Sequence, residues 1–121
     1  MATRGGSGFG HPRIRDVDPK DAAGLQGQGA VLLDVREDDE WTAGHAPGAL
    51  HMPLAEVGGT VARFDGRQVL AVCRGGNRSA QAATALVKAG IDVRNVAGGM
   101  SAWAAAGLAV VRDDGSPGSV V

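Results

Sequence analysis

The sequence predicts an α/β domain: a mostly parallel central sheet with helices on both faces. Strand-like and helix-like stretches alternate along the chain, the pattern of linked strand–helix–strand units. Residues 30–35 and 69–72 are apolar runs, suited to strands covered on both faces. Polar or Gly-containing segments follow the carboxyl ends of these runs, where such sheets bind ligands.

Residues 1–12 are Gly-rich with few core formers and read as a flexible lead-in to a domain over residues 13–111. A short strand is expected near 14–17. Asp18 offers an N-cap and Pro19 a first helical residue, opening a short helix toward Leu25 that Gly24, Gly27 and Gly29 limit. After the strand at 30–35, the acids over 37–42 suit a helix N-terminus. Gly44-His45-Ala46-Pro47-Gly48 is a turn and 49–52 a small strand. Pro53 opens another helix, whose continuation to Phe64 past Gly58-Gly59 stays open. Residues 68–90 form the central unit: a buried strand, a tight polar loop, then a helix over 80–90. Ala82, Ala83, Leu86, Val87 and Gly90 follow helical spacing there, so one face is expected to be buried against the sheet. A last strand over 92–96 and a last helix over 101–106 follow, and residues 112–121 read as a flexible tail.

Composition narrows the function. The 121 residues are 44% apolar but 3% aromatic with no Tyr, so the core is built from Ala, Val and Leu. A net charge of −1 carries no nucleic-acid footprint. One Cys excludes an internal disulfide and Cys-x-x-Cys sites, which suggests a reducing, cytoplasmic setting. The first ten residues lack an apolar signal region, and no apolar run approaches membrane-spanning length, so no membrane partner is expected.

The chemistry concentrates where strand 69–72 meets Cys73-Arg74-Gly75-Gly76-Asn77-Arg78-Ser79. Gly75 and Gly76 tolerate backbone angles that other residues resist, so the loop can wrap its N–H groups around the Cys73 sulfur. That reads as a nucleophilic or sulfur-carrying thiolate in an amide cradle. Asp34, Arg36 and Gly98-Gly99 lie at neighbouring strand ends and are expected at the same mouth.

These pieces, in order, resemble the single-domain rhodanese family of sulfurtransferases. The resemblance rests on Leu33-Asp34-Val35-Arg36-Glu37 with Glu40-Trp41, then Gly44-His45-Ala46-Pro47-Gly48-Ala49 with Met52-Pro53. It continues through the Cys73 to Ser79 loop and Val96-Ala97-Gly98-Gly99-Met100-Ser101-Ala102-Trp103. It implies a parallel α/β sheet and a Cys73 persulfide that takes sulfur from a donor such as thiosulfate and passes it to cyanide or a thiol. Its partners would be a small anionic donor and an acceptor, either a thiol or cyanide or a sulfur-accepting protein, with no cofactor. Four residues separate Cys73 from Arg78. Related phosphatases and arsenate reductases of this fold use a loop one residue longer, so the shorter ring favours sulfur over phosphate chemistry. A persulfide carrier without its own turnover is the alternative from another class.

Attack needs the thiolate, and a free thiol has a pKa of about 8.5. A helix N-terminus contributes roughly 0.3–1 kcal/mol, or twice that when partly buried, against about 1.4 kcal/mol per pKa unit. Arg74 and Arg78 are therefore expected to supply the rest with the loop amides. Two readings of Arg78 stay open: holding the donor's anionic group, or bracing the loop. Asp34 and Arg36 read as fixing the strand end, with Arg36 and Glu40 as the expected ion pair. Ser79 reads as the helix cap, with a possible bond to sulfur. His45 is read as structural in its turn, while His11 and His51 show no partner pattern. Three scattered His and one Cys make no metal set. Trp41 and Trp103 read as core or core-edge residues.

Overall fold

The computed structural model describes residues 14–59, 61–64 and 66–121. The expected lead-in over 1–12 lies outside the described residues. Among the described residues, five strands form one sheet: β1 (Arg15–Val17), β2 (Val31–Asp34), β3 (Leu50–His51), β4 (Val69–Val72) and β5 (Val93–Val96). Their order is β1-β5-β4-β2-β3 and every neighbouring pair is parallel. The register places Asp34 beside Val72 and Ala71 beside Asn95, so the carboxyl ends of β2, β4 and β5 lie together.

The helices are α1 (Pro19–Gly27), α2 (Asp38–Ala43), α3 (Leu54–Val57), α4 (Asn77–Lys88) and α5 (Gly99–Ala105). Asp18 caps α1 as its sequence position suggests, accepting the Asp21 N–H at 2.8 Å. The open question after Pro53 resolves as a break: α3 stops at Val57, and a separate 3-10 turn covers Val61–Phe64.

Side chains alternate along β4 and divide the core in two. Val69, Ala71 and Cys73 join Leu33 and Val35 against Ala82, Ala83 and Leu86 of α4. Leu70 and Val72 face the other way, with Leu32 and Val96, toward Ala22 of α1 and Met100 and Trp103 of α5. Within the expected buried face of α4, Val87 is half-buried and Gly90, beyond the helix, is exposed.

Residues 112–121, expected as a loose tail, fold back on the domain. His45 and Val111 exchange both backbone bonds at 2.8 Å, and the Ser119 N–H donates to Ala43 O at 2.9 Å. Gly44 and Gly118 permit this approach: a Cβ on Gly44 would lie 2.6 Å from Ser119 N, and one on Gly118 2.7 Å from Gly44 Cα. Polar composition suggests a solvated chain, but backbone pairing does not depend on composition.

Candidate active site

Cys73 stands one residue past β4, and α4 begins at Asn77, so the reversal falls on Arg74, Gly75 and Gly76. Gly76 carries the turn, with a φ of 111° in the left-handed region. The expectation of two special glycines reduces to one. Gly75 needs no positive φ, and a Cβ there meets nothing within 4 Å. The turn aims the Gly76 N–H at Cys73 Sγ, 3.0 Å away, and Cys73 is buried.

α5 supports the loop from beneath. Gly98 and Gly99 have φ of 72° and 60°, and a Cβ on Gly99 would collide with the carbonyl oxygens of Cys73 and Arg74. That close approach lets the Met100 N–H donate to Cys73 O at 2.7 Å and the Ser101 N–H to Arg74 O at 3.0 Å. The carbonyls are thereby held toward α5, while the Gly76 N–H bonds the sulfur and the N–H groups of Gly75 and Ser79 favour its charged form.

Opposed influences act on the thiol. Burial, the largest, raises its pKa; the Ser79 hydroxyl and the N–H groups of Ser79, Gly76 and Gly75 lower it. The net result lies below the ordinary thiol value. Ser79 is not the helix cap: Gly76 occupies that position and Ser79 lies inside the first turn. From there its Oγ sits 3.3 Å from Cys73 Sγ and 2.5 Å from Asn95 Oδ1.

The expected pairing of Arg36 with Glu40 is corrected. Glu40 instead takes Arg78 in a two-pronged bond, Nη1 to Oε1 at 2.6 Å and Nη2 to Oε2 at 2.8 Å. The Arg78 guanidinium holds the Glu40 carboxyl at a pKa of about 2. Glu40 Oε1 also accepts the Glu37 N–H at 3.0 Å, so one carboxylate ties the first turns of α2 and α4 together. Arg36 pairs with Asp34, Nη2 to Oδ2 at 2.8 Å, and donates to Gly44 O at 2.7 Å; both side chains are fully buried. Asp34 lies beside Val72, whose side chain belongs to the core layer opposite Cys73. The structure thus brings Asp34 and Arg36 to each other, and not to the sulfur. Arg74 is exposed, its Nε donating to Val121 O at 2.9 Å, and Asn77 is exposed at the start of α4.

His51 does have partners. Its Nε2 donates to Arg36 O at 2.8 Å, and its ring stacks on Trp41, which is sandwiched against His45 with centroids 4.7 and 3.6 Å away. Sequence reasoning also passed over Asn95. Its signal was a polar residue between the apolar positions Val93 and Val96 of a strand flanked on both sides, which must be hydrogen-bonded if buried.

A family model for the rhodanese-like domain matches residues 18–106. The chain belongs to the rhodanese-like domain family. This rhodanese-like chain is 36% identical over 94 residues to the thiosulfate sulfurtransferase GlpE of Pseudomonas savastanoi pv. phaseolicola, covering 76% of this chain and 89% of that protein. It is 39% identical over 90 residues to the HTH-type transcriptional regulator Rv0324 of Mycobacterium tuberculosis, covering 72% of this chain but only 39% of the regulator. The crystal structure of a rhodanese-related protein from Thermoplasma volcanium matches with a TM-score of 0.74 at 27% identity, over 81% of this chain and 98% of that one. Among the described residues, no helix is long and apolar enough to cross a membrane, and no three His, Cys, Asp or Glu side chains gather as a metal site.

Proposed function

We propose that the chain is a sulfurtransferase of the thiosulfate type, in which Cys73 is the nucleophile and carries the sulfur as a persulfide. The observation that supports this most is the buried Cys73 sulfur with the Gly76 N–H 3.0 Å away, at the floor of a loop with four residues between Cys73 and Arg78. The similarity to GlpE adds the reaction class.

In the first half-reaction the Cys73 thiolate attacks the outer sulfur of thiosulfate. A new S–S bond forms, the donor's S–S bond breaks, and sulfite leaves with the electron pair. The outer persulfide sulfur then bears the negative charge, and the loop N–H groups meet it without reorganising. In the second half-reaction cyanide or a thiolate attacks that outer sulfur and the Cys73 thiolate returns. With no second Cys in the chain, the acceptor comes from outside, and the kinetics are ping-pong. Arg78 braces the loop, since Glu40 occupies both of its terminal nitrogens. Arg74, exposed at the rim, is the cation that meets the anionic donor. A free thiol doing this chemistry suits a reducing compartment.

Thiosulfate and cyanide supplied together test the proposal. The expected result is thiocyanate formation above a Cys73→Ser control, with parallel double-reciprocal lines. A chain that loads sulfur but shows no turnover would be a carrier for a partner enzyme. Burst release from an aryl phosphate would point to a phosphatase instead.

A further inference from the structure

Beneath the loop, one polar cluster holds more acceptors than protons. Asn95, buried on β5, places its Nδ2 3.3 Å from Asp16 Oδ1 and 3.3 Å from Gly76 O. Its Oδ1 faces the Ser79 hydroxyl at 2.5 Å. These neighbours fix the amide's orientation, because a reversed amide would aim its carbonyl at two acceptors. The Ser79 hydroxyl therefore has one proton and three acceptors: Asn95 Oδ1 at 2.5 Å, Gly76 O at 3.2 Å and Cys73 Sγ at 3.3 Å.

We propose that Asn95 is a positioning residue that holds the Ser79 proton while Cys73 Sγ is uncharged, and yields it to the sulfur when Cys73 ionises. The inference rests on Cys73 as the reacting thiolate and adds how that charge is received. Against a neutral thiol, a weak acceptor at 3.3 Å, the amide oxygen at 2.5 Å keeps the proton. A thiolate is a charged acceptor, and a charge-assisted bond is roughly twice as strong as a neutral one. The proton then turns to sulfur by rotation about the Ser79 Cβ–Oγ bond, and no heavy atom moves. Once Sγ is bonded to a second sulfur its charge is gone, and the hydroxyl returns to Asn95. The competition limits how far the thiolate is stabilised, which preserves nucleophilicity, since that falls with thiol pKa. Asp16 of β1 holds the Asn95 amide in place. Of the charged groups on the neighbouring elements, Arg78 of α4, paired with Glu40 of α2, acts on Cys73, and Arg74 follows Cys73 in the loop.

Iodoacetamide alkylation rates against pH, for the full chain and for Asn95→Leu, Ser79→Ala and the double variant, separate this role from simple bracing. Asn95→Leu frees the hydroxyl for sulfur, so the ionisation midpoint falls by about 0.5–1 unit. In the Ser79→Ala background the same change leaves the midpoint where Ser79→Ala alone puts it, and Ser79→Thr restores the sensitivity. An equal shift in both backgrounds, or a rise on Asn95→Leu, overturns the proposal. A second readout needs no change at Asn95. The Asn95 side-chain carbonyl 13C resonance is expected to titrate with the alkylation midpoint in the unaltered protein and to stay fixed in Cys73→Ser; a resonance that does not follow Cys73 also overturns it. Neither readout needs sulfur transfer, so failure of the proposed reaction and failure of this inference are told apart.

Discussion

At Cys73, burial and hydrogen bonding pull the thiol in opposite directions, and the bonds to Ser79 and the loop amides prevail. The alkylation midpoint of the unaltered protein is therefore expected below that of a free thiol, and Ser79→Ala is expected to raise it. A midpoint at or above the free-thiol value contradicts this account of the sulfur. Glu40 gives a second test at the residue scale. Its carboxyl, held at about 2 against an ordinary 4.5, adds stability that is fully present above the ordinary value and is lost as pH falls toward the lower one. The shift corresponds to about 3 kcal/mol, reduced to nearer 1 by solvent because the Arg78 side chain is 33% exposed. Urea midpoints should show Glu40→Gln less stable than the unaltered chain near neutral pH, with the gap closing in acid; a constant gap would mean the pair is not the source. The sequence located both ionic residues but paired them wrongly. Nearness along the chain favoured Arg36 for Glu40, whereas the true partner, 38 positions away, arrives only when the ends of β2 and β4 lie side by side.

The elements around the loop were largely legible, because apolar runs and Gly or Pro punctuation carry their own signal. Helix starts were not. The expected beginnings at 80 and 101 fall late, since α4 starts at Asn77 and α5 at Gly99. Glycine argues against a helix by propensity, and here tertiary contact overrides it: the α5 amides reach the carbonyls of Cys73 and Arg74 only if Gly99 has no side chain. This sets an order for substitutions. Gly75→Ala should change stability by less than about 0.5 kcal/mol. Gly76→Ala, at a φ of 111°, should cost about 1–2 kcal/mol and slow alkylation of the misdirected thiol. Gly99→Ala should be the most damaging, with a steep fall in thermal midpoint. Equal effects at all three positions would remove the distinction between a flexible loop and one shaped by α5.

For the whole molecule, the layered sheet brings the carboxyl ends of β2, β4 and β5 together, Cys73 follows β4 with α4 after its loop and α5 bonded to its carbonyl, and the segment 112–121 packs back on the domain. Among the described residues it is tied down by Ser119 N to Ala43 O, Gly118 N to Val110 O, the His45–Asp113 contact, and Arg74 Nε to Val121 O. Deleting residues 112–121 should lower stability by about 1–3 kcal/mol, seen as a lower urea midpoint; an unchanged midpoint would mean these bonds contribute nothing in solution. No pattern in the sequence announced this packing, because it depends on two glycines from distant segments meeting backbone to backbone. The sequence did expose the thiol and its loop, and the remaining step is what that thiol carries. Intact mass after brief treatment with thiosulfate tests it most directly. A gain of one sulfur atom is expected, lost on adding cyanide and absent from Cys73→Ser; an unchanged mass, or a gain that survives in Cys73→Ser, contradicts a Cys73 persulfide.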